Sequence, residues 1–186
     1  MKKIATHDIA HGIYPMLYAF FSPDGQLDRE AMRRQVEAAV KGGAHGVAVL
    51  GLGTEVSKLS ASERQTVLDW VSADLDGRLP LAVTVAEQSV EDANTVVRAA
   101  EAAGASCVVL QPPATKGLPE DDYIDFFGTI ADAAAIPVGV QNAPDYLGIG
   151  LSLEGIGKLA RKHPNVRMIK AEGSALYAAQ VVEATD

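Results

Sequence analysis

Cysteine is almost absent from this sequence. Cys107 is the single one in 186 residues, so no disulfide can close within the chain, which fits a reducing compartment such as the cytoplasm. It opens the apolar run Cys107-Val108-Val109-Leu110 and reads as a small buried hydrophobe, not a nucleophile. Long hydrophobic runs are missing as well. No stretch approaches the roughly 18 apolar residues of a membrane span, and Met1-Lys2-Lys3 is not followed by the apolar core of a signal peptide. Basic residues are in deficit: 16 Lys and Arg against 24 Asp and Glu give a net charge of −8. That balance argues against nucleic acid or an anionic membrane surface as partner. Several chemical motifs are absent. No G-x-G-x-x-G opens a helix after a strand, and there is no P-loop and no G-x-S-x-G elbow. His7, His11, His45 and His163 lack metal-ligand spacing, so no metal site is expected.

What is present is a repeat. Hydrophobic content of 48% and charged content of 22% suit one soluble globular domain with a full core. Six β-like runs recur at roughly 30-residue intervals, the size of a βα unit. They are Gly12–Phe21, Gly46–Gly51, Pro80–Val85, Cys107–Pro112, Pro137–Ala143 and Val166–Lys170. Most lack polar alternation, as parallel strands covered on both faces do. Helical segments follow them. Asp28 can cap Arg29–Lys41, with Gly42-Gly43 as the stop. Ser60-Ala61-Ser62-Glu63 has the form of a capping box. Ser89 can cap Val90–Ala103, and Pro119 suits a first helical turn before Tyr123, Phe126, Phe127 and Ile130. Ser152 can cap Leu153–Lys162, and Ser174 opens Ala175–Ala184. Trp70, Phe126 and Phe127 read as packing residues.

Strict βα alternation predicts an α/β fold with a parallel sheet. A (β/α)₈ barrel is preferred, with an open six-stranded sheet as the alternative. The single domain spans 1–186, and six units instead of eight imply that the last two are missing from this chain. In either architecture, chemistry collects at the C-terminal ends of the strands. Those ends read Gly51-Leu52-Gly53-Thr54-Glu55, Thr84-Val85-Ala86-Glu87, Gln111-Pro112-Pro113-Ala114, Gln141-Asn142-Ala143-Pro144 and Lys170-Ala171-Glu172-Gly173.

Lys170 is the most informative of these residues. A strand-end amine that is partly desolvated can lose its proton and attack a ketone; the competing reading is a surface lysine. Period-2 alternation puts Val166, Met168, Lys170 and Glu172 on one face. Glu172 can act as a general acid or base, or merely pair with the lysine, which would favour the charged amine. Gln141 can donate to a carbonyl or carboxylate, or simply satisfy a loop. The Gly51–Glu55 turn can form an anion-binding nest, or be a plain βα turn.

The markers Asp24-Gly25, Leu27-Asp28, the Gly51–Glu55 turn, Leu59-Ser60 with Glu63-Arg64, Asn142-x-Pro144 and Ile169-Lys170 occur together. From about Gly12 onward the chain resembles the dihydrodipicolinate synthase/N-acetylneuraminate lyase family of Schiff-base barrel enzymes. The resemblance implies that Lys170 forms an imine with a 2-oxo acid, whose carboxylate the N–H groups of Leu52 and Gly53 hold. Departures from the family pattern are equally plain. Leu52 stands where the first relay hydroxyl is usual, and Gln141 where the Y-N-x-P tyrosine is. Ala114 falls near the second relay tyrosine, and Tyr146 near the arginine of true synthases. Glutamine has no titratable proton and cannot shuttle one. The stretches Gln141-Asn142-Ala143-Pro144 and Lys170-Ala171-Glu172 resemble a tyrosine-less branch that dehydrates 2-keto-3-deoxy sugar acids.

The expected function is a lyase that forms a lysine imine with a 2-oxo acid, a dehydratase or aldolase of a 2-keto-3-deoxy sugar acid. Lys170, Glu172 and Gln141 are its expected catalytic residues; Leu52, Gly53 and Asn142 its expected substrate-binding residues. No cofactor is expected. The family resemblance implies a homo-oligomer, tetramer or dimer. The alternatives are pyruvate condensation of the synthase type and a catalytically degenerate protein that binds 2-oxo acids.

Overall fold

The structure is a computed structural model that describes residues 11–185; Met1-Lys2-Lys3 and His7, considered above, lie outside them. The described residues form two compact units. One runs to Thr84 and takes in Ala99–Cys107; the other comprises Val85–Arg98 and the chain from Val108 onward.

In the first unit, helix α1 spans Arg29–Lys41 and begins where Asp28 accepts a hydrogen bond from Ala31 N at 2.9 Å. Strand β1, Val47–Val49, pairs in parallel with β2, Leu81–Val85. Between them lie two short 3₁₀ turns, Leu52–Thr54 and Val56–Lys58, and helix α2, Ala61–Leu75. The predicted capping box starts α2: Ser60 Oγ accepts from Glu63 N, and the Glu63 carboxylate accepts from Ser60 N at 2.7 Å. Met32 and Val36 of α1 and Val67, Leu68, Val71 and Leu75 of α2 are buried, as are Val47, Val49, Leu81 and Val83 of the strands. Trp70 lies under the Arg29 guanidinium, 5.3 Å from its carbon to the ring centroid, and Arg29 also pairs with Asp74.

The first predicted strand, Gly12–Phe21, is a correction. It forms one parallel bridge, Met16 to Ala48, with Leu17 N donating to Ala48 O and Ala48 N to Pro15 O. The ladder stops there for local reasons. Below the bridge, Pro15 has no N–H to donate. Above it, Leu17 O already accepts from Thr54 Oγ1 at 2.6 Å, and Leu50 leaves the extended region at φ 60°. Among the described residues five strands therefore stand where six were expected.

The second unit carries β3 (Cys107–Leu110, all but its first residue), β4 (Val138–Asn142) and β5 (Val166–Ala171), paired in parallel in that order. Helices α3 (Val90–Ala102), α4 (Glu120–Ala133), α6 (Leu153–Lys162) and α7 (Ala175–Thr185) follow strands as the repeat predicts. Ser89, Ser152 and Ser174 accept from the backbone three residues on. Pro119 is the residue before α4 and not part of its first turn. A four-residue helix, α5 (Pro144–Leu147), is additional; Gly148 ends it at φ 67°. Ile124, Phe127 and Ile130 of α4 and Ile156 and Leu159 of α6 are buried, as are Val138 and Val140 of β4. His163, at the end of α6, packs its imidazole on Gly128 and places Nδ1 2.9 Å from Asp132. Among the described residues, no helix is long and apolar enough to cross a membrane.

Candidate active site

Parallel register sets the second unit's strand ends. Leu110 pairs with Val140, and Gln141 with Lys170. The β3 edge continues one residue further, since Gln111 N donates to Val85 O at 2.9 Å. Gln111, Gln141 and Lys170 therefore form one transverse row across three strands, about 4.8 Å apart from strand to strand. Two residues below lies the row Val109, Gly139 and Met168. A Cβ built on Gly139 would meet Met168 Cε at 3.1 Å and Val109 Cγ2 at 3.4 Å. The lower row thus faces one side of the sheet, and alternation carries the upper row to that same side. Glycine in the middle lets Met168 and Val109 close an apolar floor beneath the polar row.

The polar row is tightly coupled. Lys170 Nζ lies 2.6 Å from Glu172 Oε1, and Gln141 Nε2 donates to the same oxygen at 2.8 Å. The Lys170 side chain is 41% exposed and that of Glu172 27%, so the amine remains reachable from solvent. Gln141 is almost wholly buried, at 1%. Its amide orientation follows from charge: only Nε2 can face a carboxylate. Glu172 is itself anchored, because its N–H donates to Asn142 O at 3.0 Å, one step past the end of β5.

Asn142 points to the other side. Its Nδ2 donates to Leu151 O at 2.9 Å and to Tyr177 Oη at 2.6 Å, and its Oδ1 accepts from Leu151 N at 2.7 Å. The side chain is occupied in tying β4 to the segment before α6 and to α7. Tyr177, which the sequence reading did not single out, belongs to this anchoring cluster.

In the first unit, Leu52 and Gly53 open a 3₁₀ turn whose internal bonds start later, from Thr54 N to Gly51 O and from Glu55 N to Leu52 O. The N–H groups of Leu52 and Gly53 precede the first of these donors, the position that a helical turn leaves without an internal acceptor. Both glycines of the turn are packed against Met16. A Cβ at Gly51 would lie 2.4 Å from Met16 Cε, and one at Gly53 2.9 Å from Met16 Cγ. A larger residue at either position would have to displace the Met16 side chain. Thr54 is buried, and Leu52 is 52% exposed.

Sequence reasoning passed over Gln111. It appeared only as the first residue of the strand-end stretch Gln111-Pro112-Pro113-Ala114, with no role. Its signal was positional, since it occupies the same strand-end place as Gln141 and Lys170. Ala114, four residues past the end of β3 at Leu110, donates its N–H to Gln88 Oε1 at 2.6 Å.

With this geometry in place, similarity to known proteins becomes interpretable. Residues 10–186 match the model of the dihydrodipicolinate synthetase family. The chain is 30% identical over 170 residues to the probable 2-dehydro-3-deoxy-D-pentonate aldolase YjhH of Escherichia coli K12, covering 91% of this chain and 54% of that protein. It is 30% identical over 164 residues to L-2-keto-3-deoxyarabonate dehydratase of Azospirillum brasilense, covering 87% and 53%. The crystal structure of Escherichia coli K12 YagE in complex with pyruvate superimposes with a TM-score of 0.90 at 26% identity, over 95% of this chain and 60% of that one. The chain spans about half the length of the curated relatives it matches.

Proposed function

Because the chain belongs to the dihydrodipicolinate synthetase family, we propose that it carries the imine-forming half of a class I lyase acting on a 2-keto-3-deoxy sugar acid. The observation that supports this reading most directly is the Lys170–Glu172 contact at 2.6 Å, braced by Gln141. An ammonium is no nucleophile, so the proton must leave before attack. Glu172 is within direct transfer distance and takes it. The Lys170 amine then adds to the C2 ketone, and loss of water gives a protonated imine. That cation withdraws electrons from C3, and Glu172 is the proposed base for the C3 proton. Loss of the C4 hydroxyl from the resulting enamine is dehydration; breaking C3–C4 from the same imine is aldol cleavage. Gln141 has no proton to shuttle and serves to hold Glu172 Oε1 in line.

Relatives at about 30% identity carry sugar-acid aldolase and dehydratase names and also a synthase name; the absence of a phenol at position 141 is what favours a sugar-acid substrate over synthase-type condensation. The proposal gives the substrate carboxylate to the N–H groups of Leu52 and Gly53, a role that rests on the family resemblance. Asn142 contributes to binding by fixing the end of β4. No organic cofactor enters these steps. The reading also carries a cytoplasmic homo-oligomer. Exposed Tyr18, Phe20 and Phe21 are the kind of apolar surface an oligomer covers.

Incubation with pyruvate and borohydride tests the central step. Covalent reduction at Lys170, located by peptide mass spectrometry, is the expected result; an unmodified chain refutes the imine. Product analysis on 2-keto-3-deoxy acids separates dehydration from cleavage.

A further inference from the structure

Two buried polar atoms in the upper row of the second unit have no hydrogen-bond partner among the described residues: Gln111 Nε2 and Gln141 Oε1. One is a donor and the other an acceptor, on neighbouring strands of one register row. Leaving either group unpaired in a buried place is costly, which makes such atoms a sign of something that binds there. The Gln141 amide cannot turn to relieve the deficit, because its Nε2 is held by the Glu172 carboxylate. Its Oε1 is therefore fixed as an acceptor.

We infer that Gln111 and Gln141 bracket a hydroxyl of the substrate, and that Gln111 is a specificity-determining residue selecting hydroxylated 2-oxo acids over pyruvate. Complementarity narrows the ligand group. A carboxylate or ketone oxygen accepts only and cannot satisfy Gln141 Oε1. An ammonium donates only and cannot satisfy Gln111 Nε2. The methyl of pyruvate does neither. A hydroxyl donates once and accepts as well, matching both atoms at once. The row spacing agrees. Gln141 stands one strand from Lys170 and Gln111 two, at about 4.8 Å per strand, so the bracketed hydroxyl lies further along the carbon chain than the ketone that meets the lysine. The inference deepens the Schiff-base reading and rests on it only in placing the ketone at Lys170.

The test is calorimetric titration of the purified chain with pyruvate and with a 2-keto-3-deoxy pentonate. It is run on the wild type, Gln111→Met and Gln111→Glu, and repeated in a Lys170→Ala background. Gln111→Glu keeps the shape and removes the donor, so it remains informative if the methionine variant folds poorly. Sites built to bond a hydroxyl reject analogues lacking it, so the wild type is expected to prefer the hydroxylated acid by about 10-fold or more. Both Gln111 variants should bring that ratio to within about 3-fold. An unchanged ratio in both variants, or no preference in the wild type, overturns the inference. Borohydride trapping reads the imine separately. A ratio that depends on Gln111 without trapping leaves the bracket standing and sinks the imine; trapping with an unaltered ratio does the reverse.

Discussion

The glycine turn of the first unit and the strand-end row of the second dispose of their polar side-chain atoms in opposite ways. In the turn, Thr54 Oγ1 donates to Leu17 O and the glycines pack closely on Met16. In the row, a charged pair shares one carboxylate oxygen with a glutamine, and two amide atoms are left without partners. The turn's buried hydroxyl is satisfied locally and fixes the backbone that presents the Leu52 and Gly53 N–H groups, whereas in the row it is the side chains beside a reachable amine that are left incomplete.

The largest expected effect that would sharpen this contrast is at Lys170. Lys170→Ala should abolish the borohydride-trapped adduct and lower turnover by about 10³-fold or more, measured by mass spectrometry and product assay. Residual trapping in that variant would move the chemistry elsewhere. Glu172→Gln should come next, with turnover down about 10²-fold as for loss of a general acid–base group. If the adduct with pyruvate still forms in single-turnover experiments, Glu172 acts mainly after imine formation.

The remaining comparisons concern stability. Asn142→Ala leaves Leu151 N, Leu151 O and the Tyr177 hydroxyl without their partner; it should cost about 2–3 kcal/mol, read from urea denaturation. Thr54→Val should cost about 1–2 kcal/mol and leave pyruvate trapping at Lys170 in place. Loss of trapping would instead tie the turn to the chemistry. The smallest effect is at the α2 cap. Ser60, first through its N–H and then its hydroxyl, holds the Glu63 carboxyl below its ordinary 4.5. A carboxyl depressed on folding adds stability above its unfolded pKa and loses it as pH falls through the folded value. Glu63→Gln should therefore melt slightly lower than wild type near pH 7, and the two melting curves should converge as the pH falls through the lowered pKa of Glu63.

Much of this was legible in the sequence because it is local. The caps Asp28, Ser60, Ser89 and Ser152 act over three residues, and helices Arg29–Lys41 and Leu153–Lys162 have the predicted ends. Helix α5 went unseen because four residues carry no period. The first strand failed through a mixture of causes. Pro15 was visible, but the competition of Thr54 for Leu17 O acts across 37 positions. The same holds at the candidate site. Lys170 and Glu172 stand two apart and were paired by alternation. Gln111 gains meaning only from register with Gln141, and the Asn142 bond to Tyr177 crosses 35 positions. Sequence pattern names the strand ends; only pairing says which of them share a row.

The Lys170–Glu172 contact has an electrical consequence. An ammonium beside a carboxylate sums to zero, and so does an amine beside a carboxylic acid once the proton has crossed. A protonated imine beside the restored carboxylate sums to zero again. The proposed reaction therefore relocates charge over a few ångströms without creating any. Added salt, which screens separated charges over roughly 10 Å, has little net field to act on in the covalent step, and its influence falls on the arrival of the anionic substrate.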